Sequence, residues 1–276
     1  MQLRLISLVV YSLIALAALT RLSGAEVDKQ SEPKKEPEKI VVIDPEKVDA
    51  DFAIQGEYSG MVVDDGQEFK AGVQVIALGV HKFRAVAYPG GLPGDGWNNQ
   101  DVIVVEGETK DGRTMMTGPL GSGLVTDGST IQINNRSGQD MGTIKKVVRK
   151  SPTLGKKPPQ GAVVLFDGTS ADGFQEGRLT SEGLLEQGTV SLQTFQDCTL
   201  HLEFMLSYMP SAREQARSNS GCYVQGRYEV QILDSFGLKG EKNECGAIYD
   251  VSAPSTNMCF PPLSWQTYDI DFTAAK

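Results

Sequence analysis

Histidine is almost missing from this chain: His81 and His201 are the only two, and its four cysteines include no Cys-x-x-Cys pair. A zinc site of the usual ligand spacing is therefore not expected. Positive charge is also scarce, with 26 Lys and Arg against 35 Asp and Glu and a formal charge of −9. Contacts to a phosphate backbone need clustered Lys and Arg, so no nucleic-acid partner is expected. Long apolar runs are missing too, because the longest, Leu5 to Leu19, falls short of the roughly 18–20 residues of a spanning helix. Glycine, by contrast, is abundant at 30 of 276 residues, often beside Asp or another Gly. That composition points to short strands and tight turns rather than helix bundles, in a length with room for about two domains.

The amino terminus reads as an address. Arg4 precedes the apolar run and Ser23-Gly24-Ala25 follows it, the pattern of a secretory signal peptide spanning 1–25. No Cys follows the run, so a lipid anchor is not expected, and the mature protein is read as secreted or periplasmic with no stable membrane anchor. Residues 26–47, rich in Lys, Glu and Pro, cannot bury a core and are expected to be a disordered leader. An oxidising compartment lets Cys198, Cys222, Cys245 and Cys259 pair in three ways. Cys245 and Cys259 bracket one loop-like segment and are the favoured pair, against the alternative of free buried thiols.

Between 48 and 149, short apolar runs such as GEYSGMVV, AGVQVIALG and DVIVVEG alternate with Asp65-Gly66, Asp111-Gly112 and Asp127-Gly128. Strands at that rhythm predict an antiparallel β-sandwich or barrel. The loop from Pro89 to Trp97 lacks the Gly-Lys-Ser/Thr ending of a phosphate cradle and reads as an ordered turn, with a ligand contact through Trp97 as the lesser alternative. Asn135-Arg136-Ser137 matches a glycosylation acceptor, a short and common pattern. Residues 150–161, with paired Lys and Pro, predict an extended connector and set a domain boundary.

The second block, 162–276, holds the chemistry. Reading SGCYVQGRYEVQILDS from Ser220 two residues at a time puts Tyr223, Gln225, Arg227, Glu229 and Gln231 on one strand face. These groups make directed hydrogen bonds, although Arg227 and Glu229 could equally pair to stabilise the sheet. In the run from Thr199 to Leu206, His201 and Glu203 alternate with Leu200, Leu202 and Phe204. Were both runs part of one concave sheet, His201, Glu203, Arg227, Glu229 and Gln231 would line a sugar-sized groove. Glu229 to Asp234 also resembles the Glu-x-Asp-x-x-Glu strand of jelly-roll glycoside hydrolases, in which a bulge brings two acids to one face.

The ordered phrases VVLFDGTSADGF, HLEF, SNSGCYVQGRYEVQILDSFG, CGAIYDVSAP and PPLSWQTYDIDF are more specific. Together they resemble the bacterial 3-keto-disaccharide hydrolase domain, also described as a 3-keto-glucoside lyase and hydratase domain. The resemblance implies a concanavalin A-like jelly roll after the first β-domain, and a carbohydrate partner in the form of a keto-glycoside. It implies elimination followed by hydration, with Glu229 as base and Arg227 as clamp on the enolate or hydroxyl. Gln231, Glu203 and His201 would orient the substrate, with Asn219 and Tyr249 at the groove edge. A divalent metal could share the enolate stabilisation, but no ligand cluster identifies one. A non-catalytic carbohydrate-binding module is the competing reading. The family's domain usually continues through further strands, so 162–276 is expected to be an incomplete copy.

Overall fold

The structure, a computed structural model, describes residues 4–6 and 40–275. The expected signal peptide, apart from residues 4–6, and the leader up to residue 39 lie outside the described residues.

Eight antiparallel strands close into a barrel: β2 (Gly56–Asp64), β3 (Gln67–Gly79), β4 (Lys82–Pro89), β5 (Ile103–Lys110), β6 (Arg113–Gly118), β7 (Gly121–Val125), β8 (Thr130–Asn135) and β9 (Asp140–Val147). Each strand pairs with its sequence neighbour, and β9 returns to β2 through Glu57↔Val147. Of the two architectures expected, the barrel is the one formed. Asp65-Gly66 and Asp111-Gly112 carry positive φ at both positions, as tight hairpins with the native strand twist require. One end is plugged by the short helix α1 (Ala50–Ile54), over which Tyr58 Oη donates to the carbonyls of Ile54 (2.6 Å) and Gly128 (2.9 Å). The N-cap Asp49 accepts from Phe52 N–H, and buried Asp51 accepts from the backbone N–H of His81, which fixes the β3–β4 turn to the helix.

The remaining strands form smaller sheets. β1 (Arg4–Ile6) runs parallel to β12 (Cys198–Met205), which pairs antiparallel with β15 (Trp265–Phe272). β10 (Phe174–Gln175) pairs with β11 (Val190–Ser191), and β13 (Asn219–Val224) with β14 (Tyr228–Leu233). Residues 220–235 are thus a hairpin, not the single strand expected from alternation. Gln225 and Gly226 take positive φ, and Arg227 N–H closes the turn on the Val224 carbonyl at 3.2 Å.

The barrel and the smaller sheets share one core. Ile76 and Val86 on the outer wall, with Tyr88 and Leu92, pack in the same cluster as Leu200, Leu202, Phe204, Ile232 and Phe236. This explains why β3 is buried on both faces from Val73 to Ala77. Each fully buried side chain of this kind contributes roughly 1.5–3 kcal/mol. The segment expected to act as a connector lies across the other face of the β12–β15 pair: Ser151 bonds Thr267, and Thr153 bonds Thr267 (2.8 Å) and Asp269 (2.6 Å). Before it, Arg149 reaches Glu57 through two nitrogens and stacks over the Phe260 ring at 5.3 Å. The 40–47 stretch is likewise tied down, with Val42 and Tyr208 exchanging backbone hydrogen bonds of 3.0 and 2.8 Å.

The Pro89–Trp97 loop is an ordered turn. Trp97 packs edge-on against Tyr88 with centroids 5.0 Å apart, and Lys70 holds Asp95 at 2.8 Å. All four cysteines are free thiols, which corrects the favoured pairing. Cys245 and Cys259 are buried in the shared core, where the Cys245 Sγ contacts Tyr268 Oη at 3.1 Å. Burial, reinforced by its hydrogen bond with Cys245, pushes the Cys259 thiol well above the usual range.

Candidate functional site

The β13–β14 hairpin gathers the polar groups singled out in the sequence. Paired residues sit at equal distances from the turn, so Tyr223 faces Glu229 and Gly221 faces Gln231 on the same side. Tyr223 Oη donates to Glu229 Oε2 at 2.7 Å. A Cβ on Gly221 would lie 2.0 Å from Glu229 Oε1, so only glycine leaves the carboxylate its place. The ring of Tyr223 is 59% exposed, which makes this an open surface. The Glu229 hydrogen bond, helped by slight burial, raises the Tyr223 phenol above its ordinary range. It therefore stays protonated and available as a donor beside the carboxylate.

The outer edge of β14 is closed by residues 246–252 rather than by another named strand. Tyr249 N–H donates to the Glu229 carbonyl at 2.9 Å, and Gln231 exchanges backbone bonds with Ala247 and Gly246. Tyr249 is 38% exposed, which leaves a second phenol ring on this surface. Gln231 is buried, and its Nε2 donates to Gln215 Oε1 and to the Asn243 carbonyl, both at 3.3 Å. Asn219 Nδ2 donates to Gln215 twice, each at 3.1 Å. Asn219, Gln215, Gln231 and Asn243 thus form a polar seam. Arg227 lies in the exposed turn and forms no ion pair with Glu229 among the described residues.

His201 and Glu203 lie elsewhere. β12 pairs with β15, and not with β13 or β14, so the single concave sheet imagined from the sequence is not formed. His201 Nδ1 meets Asp269 Oδ1 at 2.8 Å across the register, and its Nε2 lies 3.6 Å from Glu203 Oε1. Gly155 N–H donates to Glu203, and both His201 and Glu203 are buried under residues 151–155. For Asp269, burial works to raise the carboxyl, but the hydrogen bonds of Thr153 and His201 outweigh it and hold it below the usual range.

Asp234 is not a partner of Glu229. β14 runs without a bulge, so Asp234 falls on the core side and meets Arg217 Nη2 at 2.6 Å. Neither Arg217 nor Tyr223 was singled out as a site residue in the sequence. Alternation had put Tyr223 on the polar face with Glu229, but without a role of its own. Among the described residues no group of three or more His, Cys, Asp or Glu is arranged to hold a metal ion.

Residues 161–276 match the family model described as a 3-keto-alpha-glucoside-1,2-lyase-like domain. The chain carries a 3-keto-α-glucoside-1,2-lyase-like domain. The match contains the entire hairpin, with Tyr223, Glu229 and the polar seam, and begins at the end of the segment that crosses β12 and β15. It leaves the barrel outside. Comparison with curated proteins and with solved structures found no match. Among the described residues no helix is long and apolar enough to cross a membrane.

Proposed function

We propose that the chain is an exported enzyme that cleaves 3-keto-glycosides by elimination followed by hydration, on a jelly-roll domain of the lyase-like family. The observation that carries this reading is an open carboxylate, Glu229, held by a neutral phenol within the matched domain. A 3-ketone acidifies the C2 proton of the sugar. Glu229 takes that proton, the C1–O bond breaks, and the departing glycosidic oxygen takes the proton back from Glu229, which restores the carboxylate. Water then adds across the resulting double bond, which gives net hydrolysis. Tyr223, kept protonated by the same carboxylate, is placed to donate a hydrogen bond to oxygen charge that develops beside Glu229.

Arg227, free of an ion pair with Glu229, serves in this scheme as the mobile clamp on the enolate or hydroxyl oxygen. Tyr249 borders the sugar, and Asn219 and Gln231 hold the floor through Gln215. His201 and Glu203 are covered by residues 151–155, so they act by fixing the sheet rather than by touching substrate.

Glu229→Gln tests the scheme. A general base contributes about 10²–10⁴ in rate, so turnover of a 3-keto-disaccharide should fall by that factor while the sugar still binds. Wild-type protein that leaves the 3-keto-disaccharide intact, across several divalent metals, would sink the enzymatic reading. The second reading, a carbohydrate-binding module without catalysis, is favoured by the exposed rings of Tyr223 and Tyr249 on one surface. It predicts sugar binding with no bond cleavage, weakened by Tyr249→Ala.

A further inference from the structure

The barrel has an inside of its own. Inward positions near α1 are filled by large side chains, among them Tyr58, Phe83, Val125 and Ile144, all buried. Toward the opposite end the inward positions become small, with Ala71, Ala85, Ala87, Gly121 and Gly123. Eight strands make a barrel whose interior is either just filled by side chains or holds one small ligand. Here the small residues leave a cavity of about 790 Å³, walled by Val62, Val105, Met116, Ile131, Ile133 and Met141. That volume is within the range of pockets for drug-sized ligands, about 300–1,000 Å³. Its lining is predominantly apolar, with a few polar groups gathered at one end, as in pockets that hold small ligands.

The mouth is polar and lies among the β2–β3, β6–β7 and β8–β9 turns. Ser122, Asn134 and Ser137 border it, together with Asp64, Asp65 and Arg136. Both signs of charge meet there, and Asp64 already accepts a hydrogen bond from Asn135 Nδ2 at 3.0 Å. This rim suits a head group that gives or takes hydrogen bonds without a full charge. The glycine-rich β4–β5 loop does not close the opening, because its Leu92 is buried in the core shared with the smaller sheets.

We propose that the barrel binds an uncharged apolar molecule bearing one hydroxyl or carbonyl group, with the apolar body inside and the polar group at the Ser122–Asn134 rim. The site lies outside the lyase-like domain and does not depend on the reading of Glu229.

The test is fluorescence titration of the whole chain with N-phenyl-1-naphthylamine, a neutral probe that brightens in apolar surroundings. Saturable one-to-one binding is expected. Dodecanol should displace the probe at least tenfold more effectively than dodecanoate or dodecylammonium. Ala87→Phe, which fills the cavity, should weaken probe binding at least tenfold with the thermal transition retained. Ala71→Leu fills the same space more gently and replaces it if the Phe variant does not fold. Met61→Ser and Val104→Ser, on the exposed outer wall, should leave binding unchanged. Absence of saturable binding overturns the proposal, as does a folded cavity-filled variant with wild-type affinity or loss of binding in the outer-wall variants. Equal displacement by the charged amphiphiles overturns the uncharged head group.

Discussion

Tyr223 and Glu229 face each other across the β13–β14 hairpin, joined by a hydrogen bond of 2.7 Å from phenol to carboxylate. Gly221 makes the pairing possible, because a methyl group there would overlap the carboxylate. The obstacle is the far end of a flexible side chain, so Gly221→Ala should move Glu229 aside without unfolding the sheet. With the carboxylate displaced, the main cause of the raised Tyr223 phenol is lost. Ultraviolet titration of the tyrosines should then show one phenol ionising at lower pH than in wild type. Activity on the 3-keto substrate should fall at least tenfold with the melting temperature nearly unchanged. An unaltered tyrosine titration would show that Glu229 does not depend on Gly221 for its position.

Arg149, half-buried, pairs with the buried Glu57 at the junction of the barrel and the lyase-like domain. Arg149 Nε donates to Glu57 Oε2 at 2.7 Å and Nη2 to Oε1, while Gln74 Nε2 donates to Glu57 Oε1 at 2.9 Å. Tyr88 Oη completes the chain by donating to Gln74 Oε1 at 2.7 Å. Removing one member leaves the other charge buried and unpaired. Arg149→Ala should cost about 3–5 kcal/mol in urea unfolding. A cost under about 1 kcal/mol would mean that water reaches Glu57.

Arg217 and Asp234 form a buried pair, at 2.6 Å. Burial lifts the Asp234 carboxyl above its ordinary range, against the opposing pull of Arg217. The folded chain thus keeps this proton to higher pH than the unfolded chain does. Its contribution to stability is fully present below the ordinary carboxylate pKa and is lost as pH rises through the folded value. Arg217→Met removes the opposing pull and raises that value further. Stability of the variant should therefore go on falling with rising pH beyond the point where wild type levels off, at up to about 1.4 kcal/mol per pH unit. Parallel pH profiles would show that Arg217 does not govern the carboxyl.

The barrel strands were legible because alternation and Asp-Gly turns are local signals. Closure was not, since it depends on the β2–β9 pairing, roughly ninety residues apart in sequence. The hairpin shows a subtler case. Its pairs are symmetric about Gly226, so a single-strand reading misses the turn yet still assigns Tyr223, Glu229 and Gln231 to one face. Arg227 was misjudged as a strand residue for the same reason. For His201 and Glu203 the alternation was read correctly and their surroundings were not. Their cover comes from Ser151, Thr153 and Gly155, whose proline- and lysine-rich neighbourhood reads as solvent-exposed tether. The cavity escaped notice because the small residues that create it, such as Ala71, Ala87 and Gly123, are scattered over several strands.

Residues 149–155 bind the barrel with one end and the β12–β15 sheet with the other. A proteolytic nick within them would therefore not release two independent folds. Each fragment would carry away half of a common interior, with Ile76 and Val86 bared on one side and Leu202 and Phe204 on the other. The two halves stand as guarantors of each other's solubility, and an apolar guest inside the barrel would steady, through that common interior, the surface on which Glu229 sits.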